Sequence, residues 1–564
     1  MVETIRQTWQ EAHRQSGNRG QYAPPPKPGA AGILQVTNQQ GDTDMALIKG
    51  GLLDRRGFLK TTVAAAAASS LPLGGAFAQT PKRGGNLRVA KGHGNTTDTL
   101  NPGQWDNGYM LALGFAIHGR LTEVAQDGSL IPELAESWEA SDDASEWRFK
   151  IRKGVTFHDG KALEVQDVVN SINFHRGENS TSAAGPIVAP ITDITTEGDD
   201  TVVFTLDGGN ADFPFILSDY HLVICPADGD SIDWQSGNGC GSYKLTAFNA
   251  GVSSSFERNE NHWRDDVAFV DTCEMLAVVD PNARTTSLVS GDVHAIDKVD
   301  LKAAGLLGRK PGVNIQSIAG TQHYTFAMDT RADPFTDNNV RQALKYGINR
   351  QELVDKILFG YGSVGNDHPI GQGQRFFNSE MEQKEFDPDK AKWHLKEAGM
   401  DSVSVSLSAS DAAFPGAVDA ATLFQNSASE AGIDLKVVRE PKDGYWSDVW
   451  MKKPFSAVYW GGRPVEDQMF ATAYQCGAAW NDSFWCNDRF EELMKTARAE
   501  LDEAKRSEMY FEMQDIVANQ GGVIIPMFAN YVFATGDNVG HSEQMASNWD
   551  MDGERWMERW WLNS

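Results

Sequence analysis

From Thr61 to Phe77 the sequence carries no charged residue, and this run sets the terms for everything that follows it. It is preceded by Asp54-Arg55-Arg56-Gly57-Phe58-Leu59-Lys60 and ends in Ala76-Phe77-Ala78. Small residues dominate it, and it falls short of the ~20 predominantly apolar residues of a bilayer span. A basic start, a weakly apolar middle and a small-x-small close are the parts of a cleavable export signal. The plain alternative is an alanine-rich surface helix with two chance arginines. Cleavage after Ala78 makes Gln79 the first mature residue. No second stretch of 18 or more apolar residues follows, so the sequence offers no other helical membrane span.

The adjacent pair Arg55-Arg56 before Phe-Leu-Lys resembles the twin-arginine type of signal. This implies export by the twin-arginine translocase in a folded state, with residues 45–78 as the signal. Residues 1–44 fit that picture poorly. They are rich in Gln, Gly and Pro, with Pro24-Pro25-Pro26 and little apolar content, which reads as a disordered leader. Met45 also starts a chain of ordinary signal length, so residues 1–44 are either such a leader or a misassigned start.

Removal of residues 1–78 leaves 486 residues, more than one compact core accommodates, which predicts two or three domains. The mature part holds 42 Lys+Arg against 72 Asp+Glu, a net of −30. Such acidity argues against nucleic acid as a partner, because phosphate needs cationic neutralisation, and against an anionic lipid surface. Five cysteines are present. In an oxidising compartment, Cys225 with Cys240 and Cys476 with Cys486 would each close a short loop by a disulfide. Cys273 lies in a strand-like run and reads as a buried free thiol. No cysteine and histidine cluster has zinc-site spacing.

Along the mature chain, Glu146 to Arg152 alternates with period two and reads as a half-buried strand. Glu164 to Arg176 has helical spacing, with Val165, Val168, Val169 and Ile172 on one side. Residues 108–118 form an apolar helical segment. Asp387-Pro388 is an N-cap followed by proline at the first helical position, and that helix stops before Gly399. Arg489 to Asn519 reads as one long helix, and Val523 to Phe528 as a buried strand. Gly360 to Gly365 formally fits G-x-G-x-x-G, but it follows a helix and no helix opens after it, so it carries no nucleotide reading.

Several of these segments resemble the extracellular solute-binding proteins of peptide/nickel-type ABC importers. Pro132-Glu133-Leu134-Ala135-Glu136-Ser137-Trp138 is similar to that family's "P-x-L-A-x-S-W". Ile151-Arg152-Lys153-Gly154-Val155-Thr156-Phe157-His158-Asp159-Gly160 is similar to its "L-R-x-G-V-x-F-H-D-G". Gly239 to Leu245, Phe256 to Trp263, Val340 to Arg350 and Phe386 to Lys392 continue the likeness in order. The resemblance implies an α/β, two-lobed periplasmic-binding-protein fold of the large, three-subdomain type, with a hinge and an interlobe ligand cleft. The implied layout is an N-lobe over 79–320 with an inserted subdomain at about 123–240, a C-lobe over 321–525, and a return to the N-lobe over 526–564. It further implies a periplasmic monomer that captures a peptide or peptide-like solute by cleft closure and passes it to permease subunits, with no cofactor and no metal. A non-peptide anionic or zwitterionic solute (an opine, a modified amino acid, a metal chelate) and a chemoreceptor ligand sensor are alternatives on the same fold. A secreted enzyme is disfavoured, since no G-x-S-x-G elbow, His-Glu-x-x-His or Walker loop occurs.

For ligand contact, the informative stretch runs from Tyr459 to Phe470. Aligned on dipeptide-binding relatives, Arg463 falls where they carry an aspartate for the peptide ammonium. The charge is reversed, so an anion is expected there. Asp467 either pairs with Arg463 or meets a cationic ligand group. Trp480, Trp460 and Trp485 are candidates for an aromatic wall, and Trp105 is a candidate from the other lobe. Tyr324 lies on a strand that relatives use near the pocket. Asp367 and His368 sit in a loop placed near the cleft mouth, with a solvated turn as the equal alternative.

Overall fold

The computed structural model of the protein describes residues 81–563 other than Asn179 and Pro464. The leader and signal readings, Arg55, Arg56, Ala76 and Ala78 among them, lie outside the described residues.

Two large sheets organise the chain. The first has seven strands in the order Tyr243–Asn249, Ser253–Arg258, Thr272–Ala277, Asn86–Lys91, Ala295–Ile296, Tyr531–Gly536 and Val313–Ile318. Its first strand in sequence is central and parallel to both neighbours, so it has to be covered on both faces. The helix Gly108–Ile117 is buried at nearly every position and supplies one cover. The second sheet has six strands in the order Gly362–Val364, Val523–Ala529, His323–Met328, Phe455–Trp460, Val403–Ala409 and Ile433–Arg439. His323–Met328 and Val523–Ala529 are buried throughout. Pro526 is tolerated in that interior because the register shifts there, with Tyr324 opposite Met527 but Phe326 opposite Ile524. Such a bulge removes the need for the missing N–H.

A smaller antiparallel sheet lies between strands of the first in sequence: Ala135–Ala140, Glu146–Ile151, Thr201–Leu206 and Ile191–Glu197. Glu146–Ile151 buries alternate residues as its pattern requires. The helix Val165–Phe174 opens on a capping box between Glu164 and Asp167 and drives Val168 and Ile172 into the core of this subdomain.

The chain crosses from the first large sheet to the second between Ile318 and His323, and back between Ala529 and Tyr531. The two crossings touch: a Cβ on Gly320 would overlap the Ala529 carbonyl oxygen. Only glycine permits that approach.

The helix Pro388–Glu397 forms as read, with the Asp387 carboxylate accepting from the Lys390 amide at 2.8 Å. The long helix expected over 489–519 is instead two, Asp488–Ala499 and Glu503–Gln520. Glu500 is extended, and Asp502 caps the second helix by accepting from the Ala504 and Lys505 amides. The local N-cap bond wins over continued helical propensity. Among the described residues no helix is long and apolar enough to cross a membrane.

Cys476 and Cys486 form a disulfide with Cα atoms 4.8 Å apart. The expected Cys225–Cys240 bond is absent. Both thiols are free and buried; Cys225 belongs to the first lobe's apolar core, with its Sγ 3.8 Å from His118 Nδ1, and Cys240 to the small subdomain's core. Burial pushes both thiols up, Cys240 to about 12. Cys273 is also a buried free thiol, as its strand-like setting predicts.

Candidate functional site: a cleft between two sheets

A cleft of about 940 Å³ opens at the crossing. The crossing segment contributes Ile318 and Thr321, and the small antiparallel subdomain contributes Trp138, Phe215 and Asp219. The second lobe contributes Arg375, Arg463, Glu466 and Arg506, and the chain after the return crossing contributes Met545 and Trp549. A body in this space touches both lobes. The break at Glu500–Asp502 shapes one wall, since Leu501, Glu503 and Arg506 flank it.

One side of the cleft is bridged by charge. Asp212, at the small subdomain, receives Arg375 Nη2 on Oδ1 and Arg506 Nη2 on Oδ2, each at 2.6 Å. Asp212 is 2 % exposed at its side chain. Burial alone would raise its carboxyl, but the Arg506 and Arg375 guanidiniums outweigh that and hold it below the usual range. Arg375 is also stacked over Phe215 at 4.5 Å and Phe376 at 4.2 Å. Beside this bridge the Ala211 amide donates to the Arg498 carbonyl at 2.7 Å.

Arg463 lines the cleft. Its Nη1 donates to the Gly461 and Gly462 carbonyls at 3.2 and 3.1 Å. The turn carrying it is seated on the crossing, where a Cβ on Gly462 would overlap the Thr321 hydroxyl.

Neither alternative read for Asp467, a pair with Arg463 or a place facing the ligand, is what the structure shows. The helix Glu466–Ala473 turns Asp467 inward, where Arg498 holds it with Nε and Nη2 at 3.1–3.2 Å. Asp467 is therefore committed to helix packing and is not among the cleft-lining residues. Asp367 and His368 are not a solvated turn or a mouth loop. Asp367 is fully buried, accepts from Arg350 at 2.7 Å and from the Ile525 amide at 3.0 Å, and ties a helix to a strand. His368 is buried, and burial pushes its imidazole down to about 4. Tyr324 stacks flat on Phe414 at 4.2 Å inside the second lobe's core. Trp105 is buried in the first lobe's core and donates its indole N–H to the Thr99 carbonyl. Trp485 is buried among Phe470 and Phe490. Trp460 is buried as well, with its ring 6.3 Å from Trp480. Trp480 is 51 % exposed, and it joins Trp450, Trp446 and Tyr459 in a chain of edge contacts away from the cleft-lining set. Of the nine candidates, Arg463 alone lines the cleft.

Sequence reasoning missed Asp212, Arg375, Arg506, Asp219 and Trp549. The only local signal was Gly371-Gln372-Gly373-Gln374-Arg375, a glycine-punctuated loop ending in an arginine. Among the described residues no group of three or more His, Cys, Asp or Glu side chains is placed to hold a metal ion.

Comparison with known proteins matches residues 129–482 to the family described as bacterial extracellular solute-binding proteins, family 5 Middle. Di/tripeptide-binding protein 1 of Pseudomonas aeruginosa is 26 % identical over 464 residues, covering 75 % of this chain and 85 % of that protein. The structure of HbpA2 from Haemophilus parasuis superimposes with a TM-score of 0.74 at 20 % identity, covering 83 % of this chain and 99 % of that one. The periplasmic binding protein DppA from Helicobacter pylori, solved with the peptide STSA, gives a TM-score of 0.66 at 20 % identity, covering 86 % and 99 %.

Proposed function

Because the chain belongs to the family 5 bacterial extracellular solute-binding proteins, we propose that it is the periplasmic solute-capturing component of an ABC importer. It takes a peptide or peptide-like small solute between its lobes and delivers it, chemically unaltered, to the membrane permease. The observation that carries this reading is the cleft of about 940 Å³ lined from both lobes at the double crossing. A solute seated there stabilises the closed form by contacts that the open form lacks, and only such a difference shifts the equilibrium. The named peptide binders among its relatives support a peptide-like cargo. In this proposal the N-lobe spans 79–320 and the C-lobe 321–525, with 526–564 returning. Export through the twin-arginine translocase rests on Arg55-Arg56 and Ala76-Phe77-Ala78, and the working form is a monomer.

The test is calorimetry of the mature protein, freed of co-purified solute by unfolding and refolding, against a panel of di- and tripeptides with free and with N-acetylated amino termini. One peptide per protein is expected, with a raised melting temperature. A peptide at 100 times its dissociation constant adds about 2.7 kcal/mol of stability. Conversion of a peptide to a new compound, or no binding across the panel, would count against the reading.

A further inference from the structure

The charges in the cleft do not balance evenly. Asp212 is shared by Arg375 and Arg506. Glu466 lies 3.9 Å and Glu503 3.7 Å from Arg375. Asp219 meets His221 Nδ1 at 2.7 Å and accepts the His221 amide at 2.9 Å. Asp127, at the exposed rim, accepts from the Ser129 amide and hydroxyl. Of the acids that line the cleft, Glu466 and Glu503 face Arg375 and Asp219 is held by His221, and Asp127 at the exposed rim has no cationic partner among the described residues. Arg463 is the opposite case. Among the described residues it has no carboxylate partner, and its Nε and Nη2 have no acceptor.

Arg463 is partly buried in the cleft wall. The Tyr220 hydroxyl is close enough to interact electrostatically with Arg463 and with Asp219, and Trp549 meets the Tyr220 ring edge-on at 5.6 Å. The seat of Gly462 on Thr321 fixes the turn. Burial lowers the Arg463 guanidinium from its usual value, and no carboxylate among the described residues offsets it.

Resting on the reading that the cleft captures a small solute, we infer that it selects one that presents an anionic group to Arg463 and carries no free ammonium. The open Nε and Nη2 edge of the guanidinium receives a carboxylate as a fork. The solute's body lies along Trp549, which lines the cleft and offers an apolar face. A free ammonium is repelled by Arg463 and, away from Asp127 at the exposed rim, meets only carboxylates already held by Arg375 or His221. The chemical class is that of N-acylated or otherwise N-blocked amino acids and short peptides, together with dicarboxylates of similar size.

The experiment is calorimetry of the mature protein and its Arg463→Ala and Arg463→Lys variants with four probes: Ala-Ala, N-acetyl-Ala-Ala, Ala-Ala amide and glutarate. The expected result is that N-acetyl-Ala-Ala binds and the amide does not. Arg463→Ala weakens the acetyl form by about 30-fold or more, as loss of a desolvated charge partner does. Arg463→Lys restores part of it, and the ligand-free melting temperatures of the variants match the parent. An amide that binds as well as the acetyl form overturns the inference and leaves the peptide reading standing. So does an affinity for N-acetyl-Ala-Ala that Arg463→Ala leaves within threefold. Glutarate binding that is lost in Arg463→Ala, with no peptide form bound, keeps the inference and overturns the peptide reading. A cleft that binds none of the four probes overturns the inference.

Discussion

Asp212→Asn isolates the charge bridge across the cleft with almost no change of shape. The native carboxylate meets two guanidiniums of the other lobe at 2.6 Å each. Arg506 is 3 % exposed and Arg375 23 % at their side chains. At an effective dielectric near 20, one pair of unit charges at 4 Å is attracted by about 4 kcal/mol before desolvation is counted. Removing one partner of a buried pair costs about 3–5 kcal/mol, because the other charge stays buried without compensation. That cost falls on the closed arrangement alone, since water solvates both arginines once the lobes part. A loss of 3–5 kcal/mol moves the closed-to-open ratio by about a hundred- to several thousand-fold. If the ligand-free protein is mostly closed, the variant becomes mostly open and its apparent affinity drops by the closed fraction lost. Small-angle scattering of the ligand-free variant should give a larger radius of gyration, and saturating ligand should restore the parent's. A double-mutant cycle with Arg506→Met should show strong coupling. Identical scattering profiles and identical affinities for parent and Asp212→Asn would refute the idea that this bridge holds the lobes together.

Gly320→Ala pushes a Cβ onto the Ala529 carbonyl at the crossing. It should cost about 1–3 kcal/mol in urea unfolding, as overpacking does, and should weaken ligand binding; an unchanged denaturation midpoint would contradict the close approach. Asp482 is buried and accepts from the Trp450 indole at 3.3 Å, and burial raises its carboxyl to about 7. Because the folded-state value is raised, its contribution is fully present below pH 4 and is lost as pH rises toward 7 and beyond. The melting temperature of Asp482→Asn relative to the parent should therefore rise across that window, and a flat difference from pH 4 to 8 would argue against it. The buried Cys225 and Cys240 should each react with a thiol reagent only after unfolding; two thiols silent even in denaturant without reductant would indicate the bond the structure lacks.

What the sequence carried, and what it could not, divides by distance along the chain. The alternation in Glu146–Ile151 and the cap at Asp387 depend on residues a few positions apart, and both were readable. The split at Glu500–Asp502 hung on a single N-cap aspartate, with no glycine or proline to mark it, and was missed. The cleft's main charge bridge joins Asp212 to residues 163 and 294 positions away, and no local pattern reports such a partner. Asp467 shows the same limit in reverse. Its neighbour at four residues looked like its partner, but the helix it opens pointed it at Arg498, 31 positions on. Aromatic chemistry was equally silent about direction: Trp460 and Trp480 touch, yet one is buried and the other exposed. Arg463 was readable for a different reason. A cation just past the strand Phe455–Trp460 states a charge rather than a contact, and its sign does not depend on how the chain packs. The sign of an unmatched charge on such a cleft is therefore open to reading from the sequence, while a bridge such as that of Asp212 with Arg375 and Arg506 is visible only in the folded chain.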